Sequence, residues 1–194
     1  MTSLSKKCAM MALAAICGAS LCACSPSEEE SNQQTATANQ DLLDAIQSRG
    51  KIVIATEGTW APWTFHDESG KLTGYDIELG RAIAKKLGVQ VEFVEGKWDG
   101  LLAGVSSGRY DIMINGVDIT SEREKAYHFT EPYAYNRTVV IVTEGNTQIQ
   151  SMADLKGKQT ANTISSTYAT IAEKYGAKVL GVDDLNQTFE LLLG

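Results

Sequence analysis

The sequence predicts an α/β fold built on a parallel sheet, laid out as two successive units. Three patterns carry the prediction. Short β-branched runs alternate with amphipathic stretches between residues 51 and 114, and strands joined in this way lie parallel with right-handed crossovers. From Tyr75 to Leu87 apolar residues recur at 75, 79, 83 and 87, which is the face of a helix resting on a sheet. The alternation starts again after residue 144, marking a second unit.

The elements follow in order. Asp41 caps a first helix carried by Leu42, Leu43, Ala45 and Ile46, and Gly50 ends it. Lys51-Ile52-Val53-Ile54-Ala55 has the composition of a buried strand. The helix at 75–87 is widened by Ile77 and Ala84; Lys85 and Lys86 complement its dipole before Gly88. Residues 89–94 alternate as a strand, residues 98–107 are helical through Leu101, Leu102 and Val105, and residues 110–114 form a third strand. Arg137-Thr138-Val139-Val140-Ile141-Val142 reads as a further strand. In the second unit a short helix is expected at 151–155, a strand from 157 to 160, a helix at 168–175, a strand at 177–180, and a helix capped by Asp183 or Asp184 that runs through Leu193.

The N-terminal residues carry a different signal. Lys6 and Lys7 precede an apolar run from residue 9 to 23, which is short for a membrane span and reads as a secretory leader. Leu21-Cys22-Ala23-Cys24 fits a lipobox, so Cys24 is the expected lipidation site and the expected N-terminus after cleavage. All four cysteines (8, 17, 22 and 24) lie in residues 1–24, leaving none beyond them for a disulfide, a metal site or a thiol nucleophile. Residues 25–40 (SPSEEESNQQTATANQ) read as a flexible tether. Without Lys6 and Lys7 the chain has 15 basic and 24 acidic residues, a formal charge of -9. Such a surface excludes nucleic acid and anionic lipid headgroups as natural partners, so membrane attachment is expected through the lipid anchor.

In an open parallel sheet, ligands gather beyond the carboxyl ends of the strands. Here those ends are residues 57–63, 96–99 and 115–123, which hold Glu57, Trp60, Trp98, Asn115, Gly116, Asp118 and Arg123. Arg123 offers a planar fork suited to a carboxylate, and Ser121 with Glu124 has the spacing of a capping box beside it. Glu57 and Asp118 can accept from an ammonium. Trp60 and Trp98 supply large rigid faces. Gly116 permits close backbone approach. Ser166 and Thr167, at a strand-to-helix turn, can donate to an anion.

Gly74-Tyr75-Asp76-Ile77-Glu78-Leu79 with Ile83, Ala84 and Leu87, followed by Thr120-Ser121-Glu122-Arg123, resembles the family 3 solute-binding proteins of bacterial ABC importers of polar amino acids. Residues 57–65 (EGTWAPWTF) resemble the cystine-binding branch most closely. The resemblance implies a periplasmic-binding-protein-like type II bilobed clamshell, with lobe 1 over residues 41–143 nearly complete and a hinge and partial lobe 2 over residues 144–194. Members continue with a Gly-Arg-x-Asp-Ala strand and carry a further lobe 2 aspartate that grips the α-ammonium, so the resemblance implies truncation at the C-terminus. It implies no cofactor, no metal and no catalytic residue. It assigns the ligand α-carboxylate to Arg123, assisted by Ser166 and Thr167, and the ligand side chain to Trp60 and Trp98. Its partners are a polar amino acid, cystine favoured, and a membrane permease; a monomer outside the cytoplasmic membrane is expected. Two departures stand out: Asp118, where members often carry Ser or Thr, and Ser165, where glycine is usual.

Two other readings remain open at this point. Enzymes of the cyclohexadienyl or arogenate dehydratase kind resemble the same fold, and Glu57, Asp118, His66 and His128 are the acid-base groups available to them. No Ser/His/Asp or metal-ligand spacing accompanies these residues. The other reading is an inactive fragment of a binding protein, in which Leu191, Leu192 and Leu193 leave apolar surface uncovered.

Overall fold

A computed structural model describes residues 41–194. The readings on the leader, Cys24 and the tether lie outside those residues. Asp41 caps helix α1 (Leu42–Arg49) by accepting from the Leu43 N–H at 3.3 Å, and Gly50 closes it in the left-handed region at φ 69°. Strand β1 (Lys51–Thr56) follows at once. A small antiparallel meander comes next, of β2 (Thr59–Trp60), β3 (Thr64–His66) and β4 (Leu72–Thr73). Helix α2 (Tyr75–Leu87), strand β5 (Gln90–Glu95), helix α3 (Trp98–Ser106) and the two-residue strand β6 (Ile112–Met113) complete the first sheet.

That sheet is parallel, in the order β5-β1-β6. Alternation along β1 sends its side chains to two cores. Ile52 and Ile54 face Ile46 of α1, Ala84 of α2 and Ile114, with Leu79, Ile83 and Phe93 packed around them. Ala55 faces Leu101 of α3 and Tyr110, with Val53 beside them. Burying each large aliphatic side chain contributes about 1.5–3 kcal/mol, so the sheet with its helices is the rigid platform from which the loops project.

One carboxylate ties three elements of this lobe. Asp111 Oδ2 accepts from Arg49 Nη2 at 2.5 Å and from the Val53 N–H at 2.7 Å, joining α1, β1 and the approach to β6. Helix α2 lacks a side-chain cap. Its first N–H groups are instead taken by the preceding loop, Tyr75 N–H to Pro62 O at 3.1 Å and Asp76 N–H to Trp63 O at 2.9 Å. Trp63 packs edge-on to Tyr75 at 5.5 Å, and Tyr75 stacks on Tyr133 at 6.1 Å. Trp63 is thus part of the packing that seats α2.

The second lobe holds strand β7 (Gln159–Asn162), helix α4 (Thr167–Lys174), strand β8 (Lys178–Gly181) and helix α5 (Leu185–Leu193), with β7 and β8 parallel. The expected helix at 151–155 is a 3-10 turn, Met152–Leu155, whose Asp154 reaches back to the Ser151 N–H at 2.9 Å. Of the two possible caps for α5, Asp184 acts, accepting from the Gln187 N–H at 3.1 Å.

Two sequence expectations fail. No strand forms at 137–142: the β-branched side chains favour an extended chain, but a strand needs a ladder partner, and among the described residues this segment has none. Val139 and Ile141 are accordingly 70% and 55% exposed. They border an apolar groove of about 640 Å³ shared with Met152, Ile171 and Phe189. The Ser121–Glu124 capping box also does not form. The turn is a 3-10 segment, Arg123–Lys125, and its Arg123 N–H goes to Thr120 Oγ1 at 3.2 Å.

Candidate ligand site

The carboxyl end of β1 is fixed by a buried polar network. The Thr56 hydroxyl lies 2.8 Å from Thr64 Oγ1 and 3.0 Å from Asn115 Oδ1, and the Gly58 N–H donates to Thr64 Oγ1 at 3.1 Å. Asn115, fully buried, brackets Glu57 twice: its Oδ1 accepts from the Glu57 N–H at 2.8 Å, and its Nδ2 donates to Glu57 Oε2 at 2.7 Å. A network satisfied in this way is rigid, and it aims the Glu57 carboxylate into the cleft between the lobes. Burial pushes that carboxyl above its usual value; the Asn115 bond opposes the shift, and the nearby Asp184 and Asp99 add to it.

The cleft holds a cavity of about 80 Å³. From the first lobe it is lined by Glu57, Trp60, Trp98, Gly116 and Asp118, and from the second by Ser166 and Thr167. Seven of the nine sequence-proposed residues therefore meet at one place. Asn115 and Arg123 are not in the lining; Asn115 holds Glu57 from behind.

Arg123 is engaged with both lobes. Its Nη1 donates to Asp118 O at 2.9 Å and its Nη2 to Ser165 O at 3.2 Å, while its guanidinium carbon stands 5.3 Å from the Trp98 ring centroid. Burial lowers its pKa, and the charge of Asp118 opposes that. The Thr167 hydroxyl donates to Asp118 Oδ2. Ser165 donates to Asp99 Oδ1 through Oγ at 2.5 Å and through its N–H at 3.2 Å. At the rim, Lys97 Nζ meets Asp183 Oδ2 at 2.5 Å, a solvent-exposed pair that adds little to stability. In this state the polar groups of the cleft bind one another across it. Ser166 caps α4 by accepting from the Ala169 N–H at 3.1 Å, so its hydroxyl is already in use as an acceptor.

Sequence reasoning missed two lining residues of consequence. Tyr168 stands edge-on to Trp60 across the cleft with centroids 6.0 Å apart, and Asp184 brings a third carboxylate to the lining. Asp184 was visible in the sequence only as a helix cap, and Tyr168 only as a helical apolar position. The histidines lie elsewhere. His66 is 3.3 Å from Glu95 Oε1 and 3.3 Å from Gly58 O, and His128 is exposed. Among the described residues no group of three or more His, Cys, Asp or Glu is arranged to hold a metal.

Two α/β lobes, each opening the carboxyl ends of its parallel strands onto a shared cleft, define the type II periplasmic-binding-protein fold. Residues 52–179 match the bacterial extracellular solute-binding proteins, family 3, and the chain belongs to that family. It is 41% identical over 152 residues to a probable amino-acid ABC transporter-binding protein of Haemophilus influenzae, covering 78% of this chain and 59% of that protein. It is 39% identical over 175 residues to the L-cystine-binding protein TcyA of Bacillus subtilis, covering 90% of this chain and 65% of the relative. Among solved structures, it resembles an ancestral arginine-binding protein bound to arginine, with TM-score 0.70 and 41% identity over 74% of this chain and 66% of that one. The chain thus spans about three fifths of the length of these curated relatives.

Proposed function

We propose that the protein is the substrate-binding component of an ABC importer, which captures a polar amino acid outside the cytoplasm and delivers it to a membrane permease. The observation that carries this reading is the interlobe cavity, where aromatic faces, carboxylates and helix-start donors of both lobes converge on a space closed by contacts across the cleft. A ligand that binds both lobes favours the closed form, and that form is what a permease can recognise. The extracytoplasmic location agrees with the family.

Within this reading residues 41–143 act as one lobe and residues 144–194 as the hinge and part of the other. Arg123 takes the ligand carboxylate, exchanging the Ser165 carbonyl for it. Trp60 and Trp98 cover the ligand side chain, Glu57, Gly116 and Asp118 meet its polar groups, and Ser166 and Thr167 contribute from the second lobe. Identity to a relative that binds cystine supports cystine as the ligand. Attachment through a lipidated Cys24 and a monomeric state complete the proposal. Titration calorimetry of the purified protein with the twenty amino acids and cystine tests it. Saturable one-to-one binding of at least one polar amino acid is expected, and heat of dilution alone across the whole panel overturns the reading.

A further inference from the structure

Three consecutive residues at the start of α3 divide their tasks. Trp98 lines the cavity, while Lys97 and Asp99 on either side of it reach across the cleft to Asp183 and Ser165. Asp99 lies in the first turn of α3, yet both hydrogen bonds it accepts among the described residues come from the second lobe, the Ser165 N–H at 3.2 Å and the Ser165 hydroxyl at 2.5 Å. Among the described residues no lysine, arginine or histidine forms an ion pair with Asp99. Ser165 in turn is held at every polar group by the first lobe: Asp99 takes its N–H and its hydroxyl, and Arg123 Nη2 donates to its carbonyl at 3.2 Å. Neither Asp99 nor Ser165 lines the cavity.

We propose that Asp99 is a positioning residue that latches the second lobe to the first through Ser165, and so raises the affinity for every ligand without touching any of them. A ligand carboxylate that takes the Arg123 fork releases the Ser165 carbonyl, and one bond across the cleft is lost. The two bonds to Asp99 lie outside the space the ligand fills, so they persist. Ser165 therefore stays seated, and beside it Ser166 and Thr167 at the start of α4 keep their places in the lining. The effect on affinity rests on the receptor reading above; the latch itself does not.

Hydrogen bonds to an ionised acceptor are stronger than neutral ones, and both of these end on Asp99 Oδ1, so they break together when the lobes part. A contribution present in the closed form of every complex multiplies all affinities by one factor and leaves their ratios unchanged. A group that touches the ligand does not behave in this way, because different ligands feel its loss unequally. An acid in the first turn of a helix also complements the helix dipole, and that plain role of Asp99 acts on α3 alone.

Hydrogen–deuterium exchange, read by mass spectrometry on the whole chain without added amino acid, separates the two roles. In Asp99→Ala, residues 163–170 should exchange about fivefold faster than in the parent, with Asp99→Asn, which keeps an accepting oxygen without the charge, between the two. Unchanged exchange at 163–170 overturns the latch, whether or not residues 97–106 exchange faster. Adding Ser165→Ala to Asp99→Ala should bring no further increase; effects that multiply show two independent residues and overturn it as well. Calorimetric titration with cystine, arginine and glutamine supplies the second readout. Whichever of them the parent binds, Asp99→Ala should weaken each by the same factor of about five, and losses that differ between ligands overturn the positioning role. A parent that binds none of the three contradicts the receptor reading, and the exchange result still decides the latch.

Discussion

Arg123 stands over the indole of Trp98, with its guanidinium carbon 5.3 Å from the ring centroid, while its two terminal nitrogens donate to backbone carbonyls of Asp118 and Ser165. The fork is thereby occupied by both lobes, and a ligand carboxylate that uses it displaces the Ser165 carbonyl.

Replacing Arg123 tests this arrangement. Arg123→Ala is expected to weaken amino-acid binding by about tenfold or more, and Arg123→Lys to leave most of that loss in place, because an ammonium cannot make two parallel bonds or stack on the indole. Calorimetric dissociation constants decide the matter; an affinity unchanged in the alanine variant removes Arg123 from the site.

The Asp111 clamp carries a stability prediction. Asp111→Ala leaves the Val53 N–H without its acceptor and takes the carboxylate from Arg49, which keeps only the Lys51 carbonyl, for an expected loss of about 1–3 kcal/mol. Urea unfolding should show a lower midpoint at constant slope. A midpoint equal to that of the parent protein contradicts the clamp.

Gly74 is constrained twice. Its φ is +122°, and a Cβ built there falls 2.3 Å from Trp63 O, the carbonyl that accepts from the Asp76 N–H. Gly74→Ala is expected to cost about 2 kcal/mol or more and to loosen the loop that carries Trp60. Lower urea midpoints together with weaker ligand binding are the expected pair of results; a loss of neither shows that the loop yields without consequence.

Asp76 predicts a pH dependence. Its carboxylate is fully buried, Oδ1 accepts from the Tyr133 hydroxyl at 3.1 Å, and Oδ2 has no hydrogen bond among the described residues. Burial raises its pKa above the ordinary 3.8, opposed by the Tyr133 bond and the nearby Gly116 N–H. A raised carboxyl means the folded state holds its proton more tightly than the unfolded chain. The contribution is therefore complete below the unfolded value and is lost as pH rises through the folded one. Asp76→Asn removes that titration. The stability of the parent minus that of the variant should fall as pH rises above the ordinary 3.8, read from urea curves at three pH values; a constant difference excludes Asp76 as the source.

The regular elements were legible because each carries its own signal. The β-branched run from Ile52 to Ala55 gives β1, the four-residue recurrence through Tyr75, Leu79, Ile83 and Leu87 gives α2, and Gly50 and Gly88 close their helices as expected. The meander β2-β3-β4 was not legible, since strands of two or three residues are too short for a period to show. Residues 137–142 misled for the opposite reason: side-chain preference makes an extended segment, and only a partner makes it a strand. In the site, Trp60, Trp98 and Asp118 could be placed because they follow strand ends, whereas the role of Asp184 depends on how the second lobe faces the first, which local sequence does not encode.

The edge-on approach of Trp60 to Tyr168, 6.0 Å between centroids at 63°, joins the two lobes through a pair of aromatic rings. All three tryptophans (60, 63 and 98) belong to the first lobe, and among them Trp60 is the one found against an aromatic ring of the second. The protein thus carries its own optical gauge of how far the cleft is open: emission from Trp60 changes as Tyr168 moves away and water takes its place. Trp63, seated against Tyr75 in the first lobe, supplies a signal that stays constant. Opening and closing can be followed in the unlabelled chain, with Trp60→Phe as the blank.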